Sequence, residues 1–599
     1  MATNLGSNLV SSEEVWTARL KASASFRRLV QLMFAALVLA GPRRWRRRWW
    51  LPWRDQLRWS WLSIDHPVTG PGRLDRWILR RATRRLEKAA GEDRLLLLQL
   101  IMHLAPACDG YWQPDFADPT VIGNREVLHY LFTFPYFVDN AARQERIVGF
   151  LQLLYAGLDR LHAQPLDPAL RAAIAGHVAR HYSFMPALFS DATLRPLARA
   201  AGRWLETHLR LSGHALDHAF APRDPAARLR VGVFVQDIEP RNESFLALPF
   251  GLGLDRSRFE TVLVTGQAPG GCAFGALVRQ AFERVELVPV EDLAARVAAV
   301  RALDLDFVVL ANTITAQTST LQQVYAHRLA RRHIMPVAIC PNTTGLSATD
   351  YALTACNTEP RGEANLHYTE TVEWLDGTFN CFVFGPRDPR LAPDEPENFA
   401  PGHRVVFASG GVIHKLGPAL RQSFVRILKL VPDSELVLYP FNPNWMLNPK
   451  VLELQGALLD EFVRAGIAPE RIRILPAMTP AQILQLMRQV TVYLDTFPFS
   501  GGASVLEPIF ASCPIVTLRG RTQRGLLGAG MLRALDLGEL VADSVFAYEA
   551  LAVEIATAPD RRASLARRMA QAAADAPFLD PIRFGRRLGT VLERLGGDL

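Results

Sequence analysis

Four loops in the sequence carry residues suited to chemistry, and the most informative is 495–507 (DTFPFSGGASVLE). It follows a predicted strand and opens a predicted helix. Gly501 and Gly502 would let the backbone approach a ligand closely, and Ser504 could cap the helix or donate to a ligand oxygen. The unpaired N–H groups and positive dipole end of such a helix suit a diphosphate. Glu507, one turn further, could accept hydrogen bonds from a ribose diol. An ordinary strand-to-helix turn is the alternative interpretation.

The loop 407–418 (FASGGVIHKLGP) also follows a predicted strand, which ends near Ser409. Lys415, just before the next predicted helix, could neutralise the charge of a diphosphate as a sugar leaves. His414 could assist it. A solvated lysine beside a turn is the alternative.

A third loop, 340–353 (CPNTTGLSATDYAL), comes from an earlier part of the chain. Asn342, Thr343 and Thr344 form a small polar group at a predicted strand end. They could bind a sugar or a phosphate, or they could be ordinary turn residues.

The fourth loop follows the apolar run RLRVGVFVQD and contains several carboxylates. Asp237 or Glu243 would face the ligand cleft and could act as a general base. A solvated acidic loop is the alternative for each of them.

Several motifs are missing from the sequence. There is no GxxxxGK[ST] loop, no GxGxxG after the first strand of the α/β region, and no evident DxD at a strand end. These absences disfavour a nucleotide triphosphatase, a dehydrogenase and a Mg/Mn-dependent diphosphate site. The six cysteines are scattered without a CxxC pair, which indicates neither a zinc site nor a disulfide framework and fits a reducing cytoplasm. We therefore expect no metal and no cofactor.

The N-terminal segment 1–62 is unusual in composition. An apolar stretch of 13 residues, 29–41, is too short to span a bilayer, which takes about 20. A dense run of Arg and Trp follows it and accounts for much of the net charge of +8, so no nucleic-acid partner is expected. A signal peptide, an interfacial membrane element over residues 27–62, and a buried helix followed by a cationic connector remain open.

The elements that must position the four loops fall into distinct regions. Residues 63–221 show helical periodicity throughout, and a polar Pro-containing stretch, 222–228, marks a boundary. Two successive series of apolar strands and helices follow, over 229–385 and 402–599. Each series predicts a doubly wound α/β domain with its ligand site beyond the carboxyl ends of the strands. A linker with five prolines, 384–403, separates them.

The C-terminal stretch from DTFPFSGGASVLEPIFASCPIVTLRG to GLLGAGMLRALDLGELVADSVFAYEALAVEIA resembles glycosyltransferase family 41. That family includes O-GlcNAc transferase and the bacterial cytoplasmic N-glucosyltransferases that modify adhesins. The all-helical region before residue 222 is more similar to the adhesin-modifying enzymes. The resemblance implies a GT-B architecture, with two Rossmann-like domains facing a cleft after an all-α domain, and an inverting, metal-independent enzyme that uses a UDP-sugar.

Carried over by this resemblance, Lys415 matches the lysine on the UDP diphosphate. Gly502, Ala503 and Ser504 match the segment that meets the phosphates, and Glu507 stands where the family has a ribose-binding aspartate. The family histidine of the first-domain loop is replaced near Glu243.

The expected function is transfer of a hexose from a nucleotide-sugar co-substrate to a protein side chain in the bacterial cytoplasm. Two alternatives remain open. One is glycan or glycolipid extension at the inner membrane, with peripheral contact through residues 27–62. The other is a catalytically reduced GT-B scaffold that binds a partner protein.

Overall fold

The computed structural model describes residues 71–89, 91–116, 118–135, 138–313, 316–391, 399, 402, 404–441 and 451–597, with residues 32, 35, 36, 38 and 39. The chain divides into two compact units, Met1–His177 and Val178–Leu599. No helix within these described ranges has both the length and the apolar character that crossing a bilayer requires.

The first unit is helical in its described part. Its helices are α1 (Arg73–Leu86), α2 (Gly91–Leu104), α3 (Pro119–Ile122), α4 (Arg125–Leu131), α5 (Ala141–Ala163) and α6 (Pro168–His181), the last of which runs across the boundary between the units. Apolar side chains recur at helical spacing in α1, where Ile78, Leu79 and Ala82 are buried. These side chains pack against α2, so the core of this part is a helix–helix interface.

The apolar stretch 29–41 contributes to the same core at its described positions. Ala35, Val38 and Leu39 are buried in one cluster with residues of α1 and α2. At these positions the stretch is therefore a buried segment of the helical unit. Apart from residues 32, 35, 36, 38 and 39, the range 27–62, including the Arg- and Trp-rich run, lies outside the described residues.

The second unit begins earlier than the sequence suggests, because α7 (Met185–Leu188) and α8 (Arg195–Leu211) belong to it. Leu205 and Leu209 of α8 lie in the core of the first sheet. The carboxylate of Glu206 accepts a hydrogen bond from the Ser347 backbone N–H at 2.7 Å. The unit boundary thus lies at 177/178 and not at the polar stretch 222–228, because α8 packs on the sheet that follows it.

The first sheet has seven parallel strands in the order β3-β2-β1-β4-β5-β6-β7. The strands are β1 (Leu229–Phe234), β2 (Phe259–Thr265), β3 (Arg284–Leu287), β4 (Phe307–Leu310), β5 (Arg332–Pro336), β6 (Tyr351–Ala355) and β7 (Thr371–Leu375). The associated helices are α9 (Asn242–Leu252), α10 (Ala273–Ala281), α11 (Leu293–Arg301) and α12 (Thr320–Tyr325). The central strands are buried along nearly their whole length, as their continuous apolar sequences predict.

The second sheet has six parallel strands in the order β10-β9-β8-β11-β12-β13. The strands are β8 (Val405–Ser409), β9 (Ser434–Leu438), β10 (Ile472–Ile474), β11 (Val492–Leu494), β12 (Ile515–Leu518) and β13 (Val541–Ala542). The associated helices are α13 (Pro418–Leu430), α14 (Val451–Arg464), α15 (Pro480–Gln489), α16 (Leu506–Phe510), α17 (Leu527–Ala534), α18 (Val545–Thr557) and α19 (Pro559–Ala573). In both sheets the strand order reverses beside the first strand, β1 or β8, which creates the crevice where doubly wound domains bind ligands.

The last helix, α20 (Pro581–Gly596), returns to the first sheet although it follows the second one in sequence. The Phe584 ring meets the Phe250 ring of α9 edge-on, with centroids 5.3 Å apart. Gly253 and Gly585 touch through their backbones, where a side chain on either would collide with the other. Residues 581–596 therefore join the first domain, in contrast to their expected place in the domain 402–599.

Candidate active site

A cavity of about 450 Å³ opens at the carboxyl ends of the strands of both sheets. Its wall combines loops that follow β1, β4, β5 and β7 with loops that follow β8, β9 and β11. The residues of the wall that bear on the chemistry below are Arg241, Glu243, Thr313, Pro341, Gly410, Lys415, Tyr439, Phe499, Gly502, Ala503, Ser504 and Glu507. The position is the one that parallel α/β sheets reserve for ligands.

Lys415 lies at the wall of this cavity, at the end of a 3₁₀ turn (Ile413–Lys415) between β8 and α13. Its Nζ donates a hydrogen bond to the Ser500 carbonyl oxygen at 2.7 Å. The same atom lies 4.0 Å from the centroid of the Phe499 ring. Burial lowers the pKa of the Lys415 ammonium to about 8, although the carboxylate of Asp495 opposes this shift. The side chain therefore still carries a positive charge at neutral pH, in surroundings with little water.

Asp495 organises the loop that supplies these contacts, and the sequence analysis did not single it out. Its buried carboxylate accepts hydrogen bonds from Ser500 Oγ (2.7 Å), the Gly501 N–H (2.8 Å) and Thr517 Oγ1 (2.6 Å). Desolvation raises the pKa of Asp495, whereas these hydrogen bonds and Lys415 act in the opposite direction. Its position directly after strand β11 is the signal that could have revealed it.

The glycine-containing segment of this loop contains residues with two different roles. Gly501 directs its N–H to Asp495, and a side chain on it would collide with Ser504 Oγ. Gly501 is therefore a structural residue of the loop and does not line the cavity. Gly502, Ala503 and Ser504 do line the cavity, at the start of a helical turn whose first N–H groups have no acceptors within the turn.

Glu507 enters the cavity from the first turn of α16. Burial raises the pKa of its carboxyl group to about 7, which the hydrogen bond from its own backbone N–H partly opposes. At neutral pH both the protonated and the ionised form of this group are therefore accessible. It can act as a hydrogen-bond donor or as an acceptor toward a ligand hydroxyl.

His414 and Ser409 do not line the cavity, although they flank Lys415 in sequence. Successive side chains of a 3₁₀ turn point about 120° apart, so His414 faces away from its neighbour. Its ring stacks on Phe189 with centroids 5.3 Å apart, and burial lowers the pKa of His414 to about 4. Ser409 is fully buried at the end of β8. The structure gives both residues packing roles.

Phe189 comes from the segment after α7, outside both sheets, and no sequence motif pointed to it. It lines the cavity and stacks on Phe499, with ring centroids 5.6 Å apart and an angle of 28° between the planes. Arg524, from the loop before α17, holds the same segment by donating to the carbonyl oxygens of Ser190 (2.7 Å) and Ala192 (2.6 Å). The aromatic support beneath Lys415 is therefore built from two distant parts of the chain.

The first-sheet side of the cavity contains one of the two predicted carboxylates. Glu243, in the first turn of α9, lines the cavity and accepts a hydrogen bond from Thr313 Oγ1 at 2.9 Å. Asp237 does not line the cavity. It is 3.5 Å from the guanidinium of Arg241, which itself lines the wall. Asp237 thus supports a cavity residue instead of facing the ligand.

The polar loop residues Asn342, Thr343 and Thr344 are buried and do not line the cavity. Thr343 Oγ1 donates to the buried carboxylate of Glu370 at 2.6 Å, and the Thr344 N–H donates to it at 2.8 Å. Asn342 Nδ2 donates to the Thr343 carbonyl oxygen. These contacts satisfy a buried charge, so the structure uses the loop for packing, and only its neighbour Pro341 reaches the cavity.

The described residues offer little to a metal ion. Among them, no group of three or more His, Cys, Asp or Glu side chains is arranged to hold one. Among the described residues of the cavity wall, two carry carboxylates, Glu243 and Glu507.

Comparison with known proteins relates this site to a family. Residues 397–588 match the model described as Glycosyl transferase family 41. A Petunia hybrida protein named probable UDP-N-acetylglucosamine–peptide N-acetylglucosaminyltransferase SPINDLY is 27% identical over 251 residues, which is 41% of this chain. The protein of that name from Oryza sativa subsp. japonica is 28% identical over 251 residues. The matched region spans 26% of the length of each of these two relatives.

The fold agrees with that of a solved structure. A mutant O-GlcNAc transferase from Thermobaculum terrenum superimposes with a TM-score of 0.58 at 21% identity, over 88% of this chain and 94% of the other. The predicted GT-B architecture and the predicted resemblance to family 41 are both confirmed. Residues 397–588 are therefore similar to glycosyl transferase family 41, within a chain that has a GT-B fold.

Proposed function

We propose that this protein is an inverting, metal-independent glycosyltransferase that moves a hexose from a UDP-linked donor to a protein side chain. One observation carries the proposal: Lys415, residues 502–504 and Glu507 on the side of one sheet line the same cavity as Glu243 on the side of the other. The names of the two plant relatives, which describe transfer of N-acetylglucosamine from UDP to peptide, support this donor and acceptor class.

The second-sheet wall would hold the donor. The ammonium of Lys415 and the N–H groups at the start of the turn Ala503–Val505 suit a diphosphate, since both offer positive charge or donors to its oxygens. Glu507 would meet a ribose hydroxyl. The diphosphate gains negative charge as its bond to the anomeric carbon breaks, and Lys415 would stabilise that charge more in the transition state than in the bound donor.

The first-sheet wall would face the acceptor. In an inverting displacement the acceptor side-chain atom forms a bond to the anomeric carbon while the bond from that carbon to the diphosphate oxygen breaks. The acceptor proton then needs a base on the opposite side from the leaving group. Glu243, held by Thr313, is the carboxylate on that side of the cavity and is our candidate for this base.

A cytoplasmic location is part of the proposal. All six cysteines of the protein are free thiols, and none of them is paired in a disulfide. Free thiols are what a reducing compartment maintains.

Ligand-induced stabilisation tests the donor class directly. Purified protein should show a higher Tm with UDP than with GDP, dTDP or CMP, since a ligand at about a hundred times its Kd stabilises the fold by about 2.7 kcal/mol. Transfer from radiolabelled UDP-hexoses to a peptide library should then identify the sugar. No stabilisation by any of the four nucleotides would contradict the proposal and favour a scaffold that has lost donor binding.

A further inference from the structure

The outward face of α1 has a composition that the proposed function does not explain. In its 14 residues α1 carries six arginines, and its one acidic residue, Asp75, is buried. Asp75 Oδ2 accepts a hydrogen bond from the Gly72 N–H at 3.0 Å and so caps the helix. The outward face of this helix therefore carries only positively charged ionisable side chains.

Two large apolar side chains lie among these arginines. Leu74 is 48% exposed and Trp77 is 57% exposed, whereas the apolar side chains of the opposite face are buried in the core. At 100° per residue, Trp77 falls close to the middle of the outward face, with Arg73, Arg80 and Arg84 within about 60° of it. The guanidinium of Arg81 lies over the Trp77 ring, 5.6 Å from its centroid. We name this surface, made by Arg73, Leu74, Arg76, Trp77, Arg80, Arg81, Arg84 and Arg85, the arginine face.

The arginine face has no partner of opposite charge in the described part of the chain. None of its six arginines is within ion-pair distance of a described carboxylate; Arg76 donates to the Pro71 carbonyl oxygen at 2.7 Å, and Arg85 donates to the Leu39 carbonyl oxygen. Six positive charges on the outward side of one helix favour an extended anionic partner. The inward face is already committed to the core, so only the arginines, Leu74 and Trp77 can make the contact.

The mixture of side chains distinguishes between anionic partners. Tryptophan and leucine lie favourably at the boundary between lipid headgroups and acyl chains, and arginine reaches the phosphates from the same depth. A nucleic acid would use the arginines and could stack on Trp77, but it offers Leu74 no apolar environment. The face also lacks the amide and hydroxyl side chains that contact bases and sugars.

We propose that the arginine face of α1 docks the protein on a membrane surface rich in anionic phospholipid, with Trp77 and Leu74 at the level of the headgroups. This binding is peripheral and reversible, and it does not depend on the sugar-transfer function. It would bring the helical unit to the bilayer through α1, separately from the Arg- and Trp-rich run that precedes α1 in the sequence.

Flotation of the full-length protein with vesicles tests the proposal. The probes are vesicles of phosphatidylcholine alone and of phosphatidylcholine mixed with phosphatidylglycerol. We expect binding only to the mixed vesicles, with a marked decrease between about 0.1 M and about 0.5 M salt. Arg80→Glu with Arg84→Glu should weaken binding about tenfold or more, because each basic residue near an anionic surface contributes several-fold. Trp77→Ala should weaken it several-fold.

A matched control separates this face from total charge. Arg583→Glu with Arg586→Glu changes the net charge equally on an exposed part of α20 and should leave binding within about twofold of wild type. Arg80→Gln with Arg84→Gln removes the two positive charges without adding negative ones, and it serves as the test if the glutamates disturb the helix. Circular dichroism of each variant checks the fold. The proposal is overturned if wild type does not prefer the mixed vesicles, or if the α1 variants float like wild type. It is also overturned if the face binds single-stranded RNA while the vesicles stay unbound.

Discussion

The Lys415 ammonium lies 4.0 Å from the centroid of the Phe499 ring and donates a hydrogen bond to the carbonyl oxygen of the next residue, Ser500. Both contacts come from the loop that Asp495 holds in place. The charge is thus fixed by a ring face and a carbonyl, neither of which neutralises it. Such an ammonium is preorganised for a negative charge that develops in the cavity.

The pH dependence of turnover should follow the charge of Lys415. Burial lowers its pKa to about 8 in the ligand-free protein, so the ammonium form is lost as pH rises through this value, and kcat/KM for the donor should fall above pH 8 by about tenfold per unit. Lys415→Arg should have a lower kcat but no such decline, since a guanidinium stays protonated over this range. The measurement is kcat/KM for the donor from pH 6 to about 10, with circular dichroism at each pH as the control for folding. An alkaline decline that persists unchanged in Lys415→Arg would assign it to another group.

Phe189 should act as a positioning residue for Lys415. Phe189→Ala removes the ring that supports Phe499 and admits water, so we expect kcat to fall about tenfold, which corresponds to the upper value for an aromatic pair. The alkaline pKa in the profile of kcat/KM should also rise, because hydration favours the ammonium.

Two comparisons make the Phe189 result specific. Phe189→Tyr should retain most of the activity, since it keeps the aromatic face. Phe546→Ala, at a side chain that is 80% exposed, should have no effect. A fall in Tm for Phe189→Ala without any change in kcat or in the pH profile of kcat/KM would make Phe189 a packing residue only.

The sequence predicted the two doubly wound domains well because buried parallel strands leave continuous apolar runs such as those of β1 and β4. The sequence also predicted that Lys415, Gly502 and Glu507 lie close together, because residues that follow adjacent parallel strands meet at one edge of a sheet. Side-chain direction was not predictable in the same way. His414 adjoins Lys415 in sequence, yet the 3₁₀ turn points it elsewhere.

Contacts between segments that are distant in the chain could not be predicted from the sequence either. Phe189 reaches the cavity from a segment 226 positions before Lys415, and no periodic pattern encodes that approach. Thr343 looked like a ligand-binding residue because its partner, Glu370, lies 27 residues later in the chain, directly before strand β7. A buried carboxylate and a ligand phosphate attract the same hydroxyls, so composition alone does not distinguish them.

Thr343 should therefore affect stability and not donor binding. Thr343→Val removes a hydrogen bond to the buried Glu370 carboxylate and should lower the free energy of unfolding by about 1.5–3 kcal/mol. The KM for the donor should stay within about twofold of wild type, because Thr343 does not line the cavity. Urea unfolding and donor titration measure the two effects, with the exposed Thr557→Val as the control. A large rise in KM at unchanged stability would return Thr343 to the donor site.

Removal of divalent metal should leave the activity unchanged. The cavity supplies an ammonium and backbone N–H groups for the charge of the leaving diphosphate. Transfer rates in EDTA and in Mg²⁺ should therefore agree within about twofold, compared as kcat/KM for the donor in each buffer. A strict need for Mg²⁺ or Mn²⁺ would require a different assignment of the charge-stabilising groups.

Single-turnover sugar transfer by Lys415→Ala tests the central claim most directly. With donor and acceptor bound, loss of one preorganised positive group should slow the chemical step by about 10²-fold or more, whereas Tm should change little for a side chain in a strand-end turn. Lys429→Ala, at the exposed end of α13, is the matched control and should transfer at the wild-type rate. A transfer rate near that of wild type in Lys415→Ala would remove Lys415 from the reaction and contradict the proposed function of the cavity.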